Sequence, residues 1–378
     1  MAPPPPPPLM EELEEEVLLR MPPDDPASLL RAALVCRRWR RLVSGPFFRR
    51  RFRELHRTPP MLGLLCNIVG GDSTCCFVPT AADFCAPDLG HHRALDARHG
   101  RVLLQCRRGG SWNALMVWDP ITDEKMEVPS PFLLQSYMFS WTAAILCAAC
   151  GRCNHLDCHR GPFLVVFLGS DSGKAFVCTY SSDAGTWSEP IATEQPEDIA
   201  SMMPSVLLGN VLYFGFLNRK ILLKYDLGSQ KLSVSGIPAA YTLWWHIVLD
   251  GGLGFAAIHK SKLLIWRKDG PEEDAGWTQN RVIELEKLLT SPNDAILPPF
   301  FVVGCIDGTS VIFLRAGFAI FTVDLKTYKV KKVCEGKNIY SVMPYMNFCT
   351  PGRALLGFWL YSIFRTSNNL VTSMKFGQ

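Results

Sequence analysis

No apolar run in this 378-residue chain is long enough to cross a membrane. A spanning helix needs roughly 18 or more apolar residues, and the longest apolar stretches, residues 141–150 and 354–364, are shorter and fit buried strands. The net charge is only +4, so neither a nucleic-acid nor an anionic membrane partner is expected. Residues 1–8 hold six prolines and no apolar core, which predicts an extended, disordered tail instead of a secretory signal.

The composition favours a folded protein of a reducing compartment. The chain is 48% hydrophobic and 20% charged, which is typical of globular proteins, and its length allows one small and one large domain. It has 14 cysteines and no recognisable secretory signal. We therefore expect free thiols in the cytoplasm or nucleus.

Residues 9–56 have the periodicity of three short amphipathic helices. Successive apolar residues are three or four positions apart, and Pro22–Pro26 and Ser44–Pro46 separate the sets. The sets are Met10, Leu13, Val17 and Leu18; Leu30, Ala33 and Leu34; and Val35, Trp39, Leu42 and Val43. A unit of this size buries little apolar surface, so we expect a partner to cover the face that remains.

These residues resemble an F-box, a small helical domain. Its pattern is Leu-Pro-x-Asp-Leu-Leu-x-Glu-Ile-Leu-x-Arg-Leu-Pro, then Leu-x-Arg, Val-Cys-Lys-x-Trp-x-x-Leu-Ile and Pro-x-Phe. The matching residues are Leu9, Leu13, Glu16, Val17, Leu18, Arg20, Met21, Pro22, Val35, Cys36, Trp39, Leu42, Val43, Pro46 and Phe48. Met10 stands where the pattern has Pro, and Glu14 replaces an apolar residue. Both departures lie in the first helix and would reduce adaptor affinity.

The resemblance implies that the helices bind a Skp-type adaptor and, through it, a cullin. The chain would then be the substrate-recognition subunit of an SCF-type (Skp–cullin–F-box) ubiquitin ligase, with an unknown protein substrate. The implied adaptor-binding residues are Leu9, Leu13, Val17, Leu18, Pro22, Leu30, Val35, Cys36 and Trp39.

The arginine-rich stretch at residues 47–56 is predicted to be a solvated helix. Phe48, Phe52 and Leu55 form an apolar stripe, which leaves the arginines on a wet face, and nearby acidic residues nearly balance their charge. This argues against a nucleic-acid site. Residues 57–60, with two prolines, then mark a linker.

Residues 61–378 are predicted to form β-structure built from a repeated unit. In each unit an apolar strand ends at an Asp or polar residue, followed by a polar turn and a second strand. Clear copies start at Val117, Lys224 and Thr322; looser ones start at Tyr180 and Trp266, and a weak one at Phe77. The starts are about 49 residues apart, which is within the range of propeller blades.

We therefore expect a multidomain α plus all-β protein with a three-helix F-box and a C-terminal β-propeller. The propeller would have six or seven blades, closed by pairing of the tail from Ile339 to Gln378 with the first blade. An open β-sandwich is the alternative. This half of the chain resembles the kelch-like or F-box-associated domains of plant F-box proteins, and the resemblance implies that one face of the propeller binds a target protein.

A cysteine-rich segment at residues 147–159 is the one candidate metal site. Cys147, Cys150, Cys153 and Cys158, with two histidines nearby, could supply the ligands of a tetrahedral zinc ion. However, no second Cys-x-x-Cys pair stands at a matching distance, and on one continuous strand Cys147 and Cys150 would face opposite sides. A cysteine-rich loop between blades is the alternative, and the prediction is of no metal and no cofactor.

No constellation of residues predicts an enzyme. Gly252-Leu253-Gly254 precedes a hairpin and not the helix that a dinucleotide site requires, and no paired acids are evident for a catalytic channel. We expect an interaction protein; a propeller enzyme and a scaffold that binds no adaptor are the alternatives.

Overall fold

The computed structural model shows a helical domain followed by a closed ring of six antiparallel sheets. The structure describes residues 10–70, 74–80, 89–108, 111–131, 140–149, 153–171, 174–194, 203–215, 221–237, 244–270, 275–289 and 298–350. Within these ranges, no helix has the length and hydropathy that a membrane crossing requires.

The helical domain contains four helices, where the sequence predicted three and a separate solvated one. They are α1 (Glu11–Leu19), α2 (Pro26–Val35), α3 (Arg37–Ser44) and α4 (Pro46–His56). Val35 ends α2 instead of opening the third helix, because Cys36 is extended and breaks the helical run. The Cys36 sulphur accepts a hydrogen bond from the Trp39 backbone N–H (3.4 Å) and so caps α3.

Helix α4 completes the core of this domain. Phe48 and Phe52 are buried against residues of the other three helices, and Leu55 is exposed. Phe348, which follows the last propeller strand, contributes to the same core, with its ring edge-on to Phe52 at 6.2 Å. The helices therefore share their core with the propeller.

The first three blades each begin on the inside of the ring and run outward along the chain. Blade 1 consists of β3 (His92–Arg98), β4 (Arg101–Arg108), β5 (Ser111–Asp119) and β6 (Glu124–Val128). Blade 2 consists of β7 (Ser140–Cys147), β8 (Phe163–Asp171), β9 (Lys174–Ser181), β10 (Thr186–Trp187) and β11 (Ile191–Glu194). Blade 3 consists of β12 (Val206–Leu208), β13 (Val211–Gly215), β14 (Ile221–Asp226) and β15 (Lys231–Gly236). A 3-10 turn, Cys158–Arg160, lies between β7 and β8.

The remaining blades complete the ring. Blade 4 consists of β16 (Trp244–Leu249), β17 (Gly252–His259), β18 (Lys262–Lys268) and β19 (Trp277–Glu284), and the short α5 (Leu285–Leu289) follows it. Blade 5 consists of β20 (Phe300–Cys305), β21 (Val311–Ala316), β22 (Ala319–Asp324) and β23 (Val330–Glu335). The closing blade consists of β24 (Ile339–Met346), β1 (Met61–Ile68) and β2 (Cys75–Pro79). Six blades are thus present, and the β-sandwich alternative is excluded.

The predicted Asp turns are confirmed at the outer strands of blades 1, 3 and 5. Asp119 accepts a hydrogen bond from the Ile121 N–H (2.8 Å), and Asp226 accepts bonds from two successive backbone N–H groups (both 2.9 Å). Asp324 accepts bonds from the Lys326 N–H (2.9 Å) and from two hydroxyl groups. These bonds hold the pKa of Asp324 down to about 2.

Strands from both ends of the propeller sequence close the ring. β24 pairs antiparallel with β1, and Leu65 lies opposite Met343. This is the pairing that the sequence predicted, for the part of the tail that forms β24. Residues 351–378 of the predicted closing tail lie outside the described residues. The Tyr345 hydroxyl donates to the Gly100 carbonyl oxygen in blade 1 (3.2 Å), so the closing blade is also tied to its neighbour.

Gly304 marks the tightest contact between blade 5 and the closing blade. A Cβ at this position would lie 2.1 Å from the Val342 backbone oxygen in β24. Only glycine allows the two inner strands this approach, because the obstacle is backbone that cannot rotate away.

We predict that Gly304→Ala destabilises the propeller by about 1–3 kcal/mol, since overpacking forces backbone shifts. The matched control is Gly236→Ala in β15, where the added Cβ would meet nothing within 4 Å. Urea unfolding of both purified variants measures the difference. Equal stability of the two variants would show that blade 5 and the closing blade are not in this close contact.

Candidate functional site

An exposed apolar face lies on α1 and at the end of α2. Its residues, called here the apolar face, are Met10, Leu13, Val17, Leu34 and Val35. Val17 is 57% exposed and Val35 67%. On α1 the three residues fall on one side by helical spacing, so they form a continuous stripe.

Glu14 lies at the border of this stripe and is directed into the domain. Its carboxylate accepts a hydrogen bond from Trp39 Nε1 (3.1 Å) and pairs with Arg38 Nε (3.1 Å), both on α3, and its side chain is only 11% exposed. Leu18 is buried in the domain core. The inward face of α1 therefore contains Glu14 and Leu18, and the stripe of Leu13 and Val17 is turned outward.

The structure separates the predicted adaptor-binding residues into two groups. Leu13, Val17, Pro22, Val35 and Cys36 are exposed, and the Trp39 ring is half-buried against Glu14. Their role in adaptor binding stays a prediction. Leu9 lies outside the described residues.

For Leu18 and Leu30 the prediction is corrected, since neither side chain is accessible to a partner. Leu18 packs in the helical core, and Leu30 packs against the closing blade and blade 1. The spacing of apolar residues along a helix does not distinguish such inward residues from outward ones.

Arg50, Arg51 and Arg53 of α4 form ion pairs with acidic residues of this chain. Arg51 pairs with Glu15 of α1 (2.8 Å), which joins the first and last helices. Arg53 is buried, contrary to the predicted wet face, and forms an ion pair with Asp157 in the loop before β8. Leu156 of that loop packs against the helical core, so α4 and this loop form the seam between the two domains.

The inner strands of the six blades surround a channel with a cavity at each end. β3 contacts β7, β12 contacts β16, and β20 contacts both β16 and β24. A cavity of about 210 Å³ lies at the starts of these strands and includes Trp244, Phe301 and Tyr340 in its lining. Another of about 340 Å³ lies at their ends, beside Arg98 and Asp307.

A buried ionic cluster at the second cavity was missed by sequence reasoning, which had found no paired acids. Arg98 forms an ion pair with Asp96 and bonds to Asp307 through Nη2 (2.9 Å) and to the Ser205 hydroxyl (3.1 Å). Asp96 also accepts the Ile145 backbone N–H (2.8 Å). Arg98 therefore links residues of blades 1, 3 and 5, and Asp96 extends the connection to blade 2.

Burial and ion pairing have opposite effects on the pKa values of this cluster. It raises the pKa of Asp96 to about 6, although Arg98 and the Ile145 amide act in the opposite direction. Burial alone would lower the pKa of Arg98, but the two carboxylates raise it above its ordinary value. The cluster holds its acids in ion pairs, which suits the linking of blades better than proton transfer.

Trp244, Trp245 and His246, adjacent on β16, are all buried. Trp245 lines both channel cavities, and the Trp244 ring packs edge-on to Phe255 at 6.3 Å. His246 donates from Nε2 to the Pro204 carbonyl oxygen (2.6 Å), and burial lowers its pKa to about 4. Below this value it gains a buried charge, which would destabilise the channel wall.

The structure brings three of the four candidate metal-binding cysteines together. β7 ends at Cys147, and Cys147, Cys153 and Cys158 converge with His155, which the sequence had noted only as one of two nearby histidines. Cys150 lies outside the described residues.

The helical domain and the six-bladed ring together define the class of F-box proteins with a C-terminal β-propeller. Residues 16–54 match the family model described as F-box-like, and residues 93–352 match that of "F-box protein AT5G49610-like, beta-propeller". The chain belongs to this second family, a match that covers most of its length. No curated protein matches the chain.

Solved structures resemble the chain only weakly. A chain of a nidogen–laminin complex is 12% identical, with a TM-score of 0.44, over 74% of this chain and 97% of that chain. Citrobacter koseri AztD is 9% identical, with a TM-score of 0.36, over 74% of this chain and 88% of that chain. These values are too low to transfer any function.

We predict that Arg98→Met lowers the free energy of unfolding by about 3–5 kcal/mol, because it leaves the buried carboxylate of Asp96 without its cation. Chemical denaturation at neutral pH measures the loss. The double variant Arg98→Met with Asp96→Asn should be less destabilised than Arg98→Met alone, since one charge is removed. A cost below about 1 kcal/mol, as for a surface ion pair, would contradict a buried cluster.

Proposed function

We propose that this chain is the substrate receptor of an SCF-type ubiquitin ligase. The observation that carries the proposal is the apolar face on α1 and α2, which the F-box fold turns outward on a family member. Exposed apolar patches rimmed by polar residues mark protein-binding surfaces. A Skp-type adaptor, itself bound to a cullin, is the partner we assign to it.

The orientation of Glu14 supports this assignment. Its carboxylate is occupied by Trp39 and Arg38 inside the domain, so it places no charge on the apolar face. Met10, the other departure from the F-box pattern, is 65% exposed and adds apolar area at the end of the stripe. Neither departure argues for a scaffold that binds no adaptor.

The propeller would bind the target protein, and the mechanism would be proximity. Holding a target and the ligase machinery on one chain raises their effective concentration without a bond made or broken by this chain. We propose no catalytic role, because the channel carboxylates Asp96 and Asp307 are engaged by Arg98.

The proposal places the protein in the cytoplasm or nucleus. The cysteines in the described ranges are free thiols, which fits a reducing compartment.

We predict that Leu13→Asp and Val17→Asp weaken capture of a purified Skp-type adaptor by about tenfold or more, since a charge would be buried in the interface core. Both side chains are exposed in the free chain, so stability should change little. Biolayer interferometry with the full-length protein measures the affinities.

The matched control is Leu55→Asp, an equally exposed apolar residue on α4 (54%) outside the apolar face. It should bind the adaptor like the wild type. A wild-type chain that captures no adaptor, or a control that loses binding as much as Leu13→Asp, would overturn the proposal.

A further inference from the structure

Four metal-ligating side chains converge where blade 2 meets the helical domain. Cys147 ends β7, Cys153 and His155 lie in the loop that follows, and Cys158 opens the 3-10 turn. Their ligand atoms, three sulphurs and one ring nitrogen, all lie within 4.8 Å of one another. We propose that these four residues bind a structural zinc ion.

The spacing of the ligand atoms can be compared with that of a tetrahedral site. Zinc–sulphur and zinc–nitrogen bonds of about 2.3 and 2.0 Å place neighbouring ligand atoms roughly 3.5–3.8 Å apart. The Cys158 sulphur lies 3.6 Å from His155 Nδ1, which fits this spacing. Four protein ligands fill the coordination sphere, as in structural zinc sites, and leave no open position for catalysis.

The residues around the cluster suit thiolate ligands. The His155 backbone N–H donates to the Cys153 sulphur (3.3 Å), an outer contact that orients a ligand. Arg101 is 4% exposed; its Nη2 donates to the Cys158 carbonyl oxygen (2.8 Å), and its buried Nη1 has no hydrogen-bond partner among the described residues. A buried cation here would offset the negative charge that three thiolates and one zinc ion leave.

A cluster of reduced thiols without metal is the alternative, but it does not explain why the four side chains converge. Thiols are weak hydrogen-bond donors and acceptors, so they attract one another little. The ring nitrogen of His155 also lies within 4.8 Å of the sulphurs, and a disulfide would not require a histidine. Zinc is the metal that a mixed set of cysteine and histidine ligands favours.

The site would also fix the seam between the domains. Leu156 and Asp157 lie between the ligands His155 and Cys158 in the chain; Leu156 packs in the helical core, and Asp157 pairs with Arg53 of α4. Zinc would therefore hold in place the loop on which the helical domain rests.

Metal analysis of the full-length protein, purified under reducing conditions and equilibrated with Zn²⁺ alone, tests the site. We expect a stoichiometric zinc ion in the wild type and an affinity at least about tenfold weaker in Cys153→Ser and Cys158→Ser. Cys334→Ser, which removes a partly buried thiol in β23, should retain zinc. Wild type without zinc, or zinc retained by both ligand variants, would overturn the proposal, as would a disulfide within the cluster.

A second pair of variants distinguishes the loss of a metal ligand from loss of metal through misfolding. His155→Cys keeps four ligands and should retain the metal, and its Co²⁺ complex should show an altered tetrahedral absorption spectrum. His155→Ala should weaken binding. Equal metal content and identical spectra in the two would exclude His155 as a ligand and contradict the site.

Trypsin digestion tests the role in the seam. Removing zinc with a chelator should speed cleavage at the arginines of α4 in the wild type but not in Cys158→Ser. Cleavage at α4 that does not change on chelation of the zinc-loaded wild type would show that the metal does not hold the domains together.

Discussion

The contact of Glu14 with Trp39 and Arg38 keeps a charge out of the surface that the helical domain presents to solvent. A carboxylate removed from water needs hydrogen-bonding partners, and α3 supplies an indole N–H and a guanidinium. Leu18 and Leu19 of α1 are buried in the core, and helical spacing places Leu13 and Val17 on the opposite side, with Glu14 at the border between the two. Glu14, which departs from the F-box pattern, therefore adds no charge to the apolar face.

The propeller supplies what so small a helical unit lacks. Phe348, just beyond β24, enters the helical core; Leu30 of α2 enters the core between the closing blade and blade 1; and Arg53 of α4 is buried against Asp157. Since β1 follows α4 after a few residues and belongs to the closing blade, the helices sit next to the point where the ring is sealed. Residues of the propeller thus cover the helical core within the molecule, and the apolar face remains exposed.

Features that depend on local chemistry could be predicted from the sequence. The turn of Asp226 is made within three residues, and the Gly209-Asn210 hairpin joins β12 to β13 as its sequence indicates. Repetition of that local unit predicted six or seven blades, of which the structure has six. The contact of Glu14 with Trp39 could not be predicted, since it joins residues 25 positions apart.

The ionic cluster of the channel and the convergence of the cysteines could not be predicted either, because both depend on the path of the chain beyond any local pattern. Arg98 and Asp307 are 209 positions apart, and no local pattern connects them; only the closure of the ring brings blades 1 and 5 to one channel. The cysteines are close in sequence, but their convergence requires β7 to end at Cys147 and the chain to turn back at Cys158. A continuous strand would have separated them.

Hydrogen exchange on the full-length protein, alone and with a saturating Skp-type adaptor, tests the central claim most directly. The account predicts new protection in peptides that cover residues 10–17 and 34–36, with exchange in α4 and in the loop around Leu156 unchanged, because those elements already rest on the propeller. Protection confined to α4 or to that loop, with α1 unaffected, would mean that the partner binds elsewhere and would contradict the account.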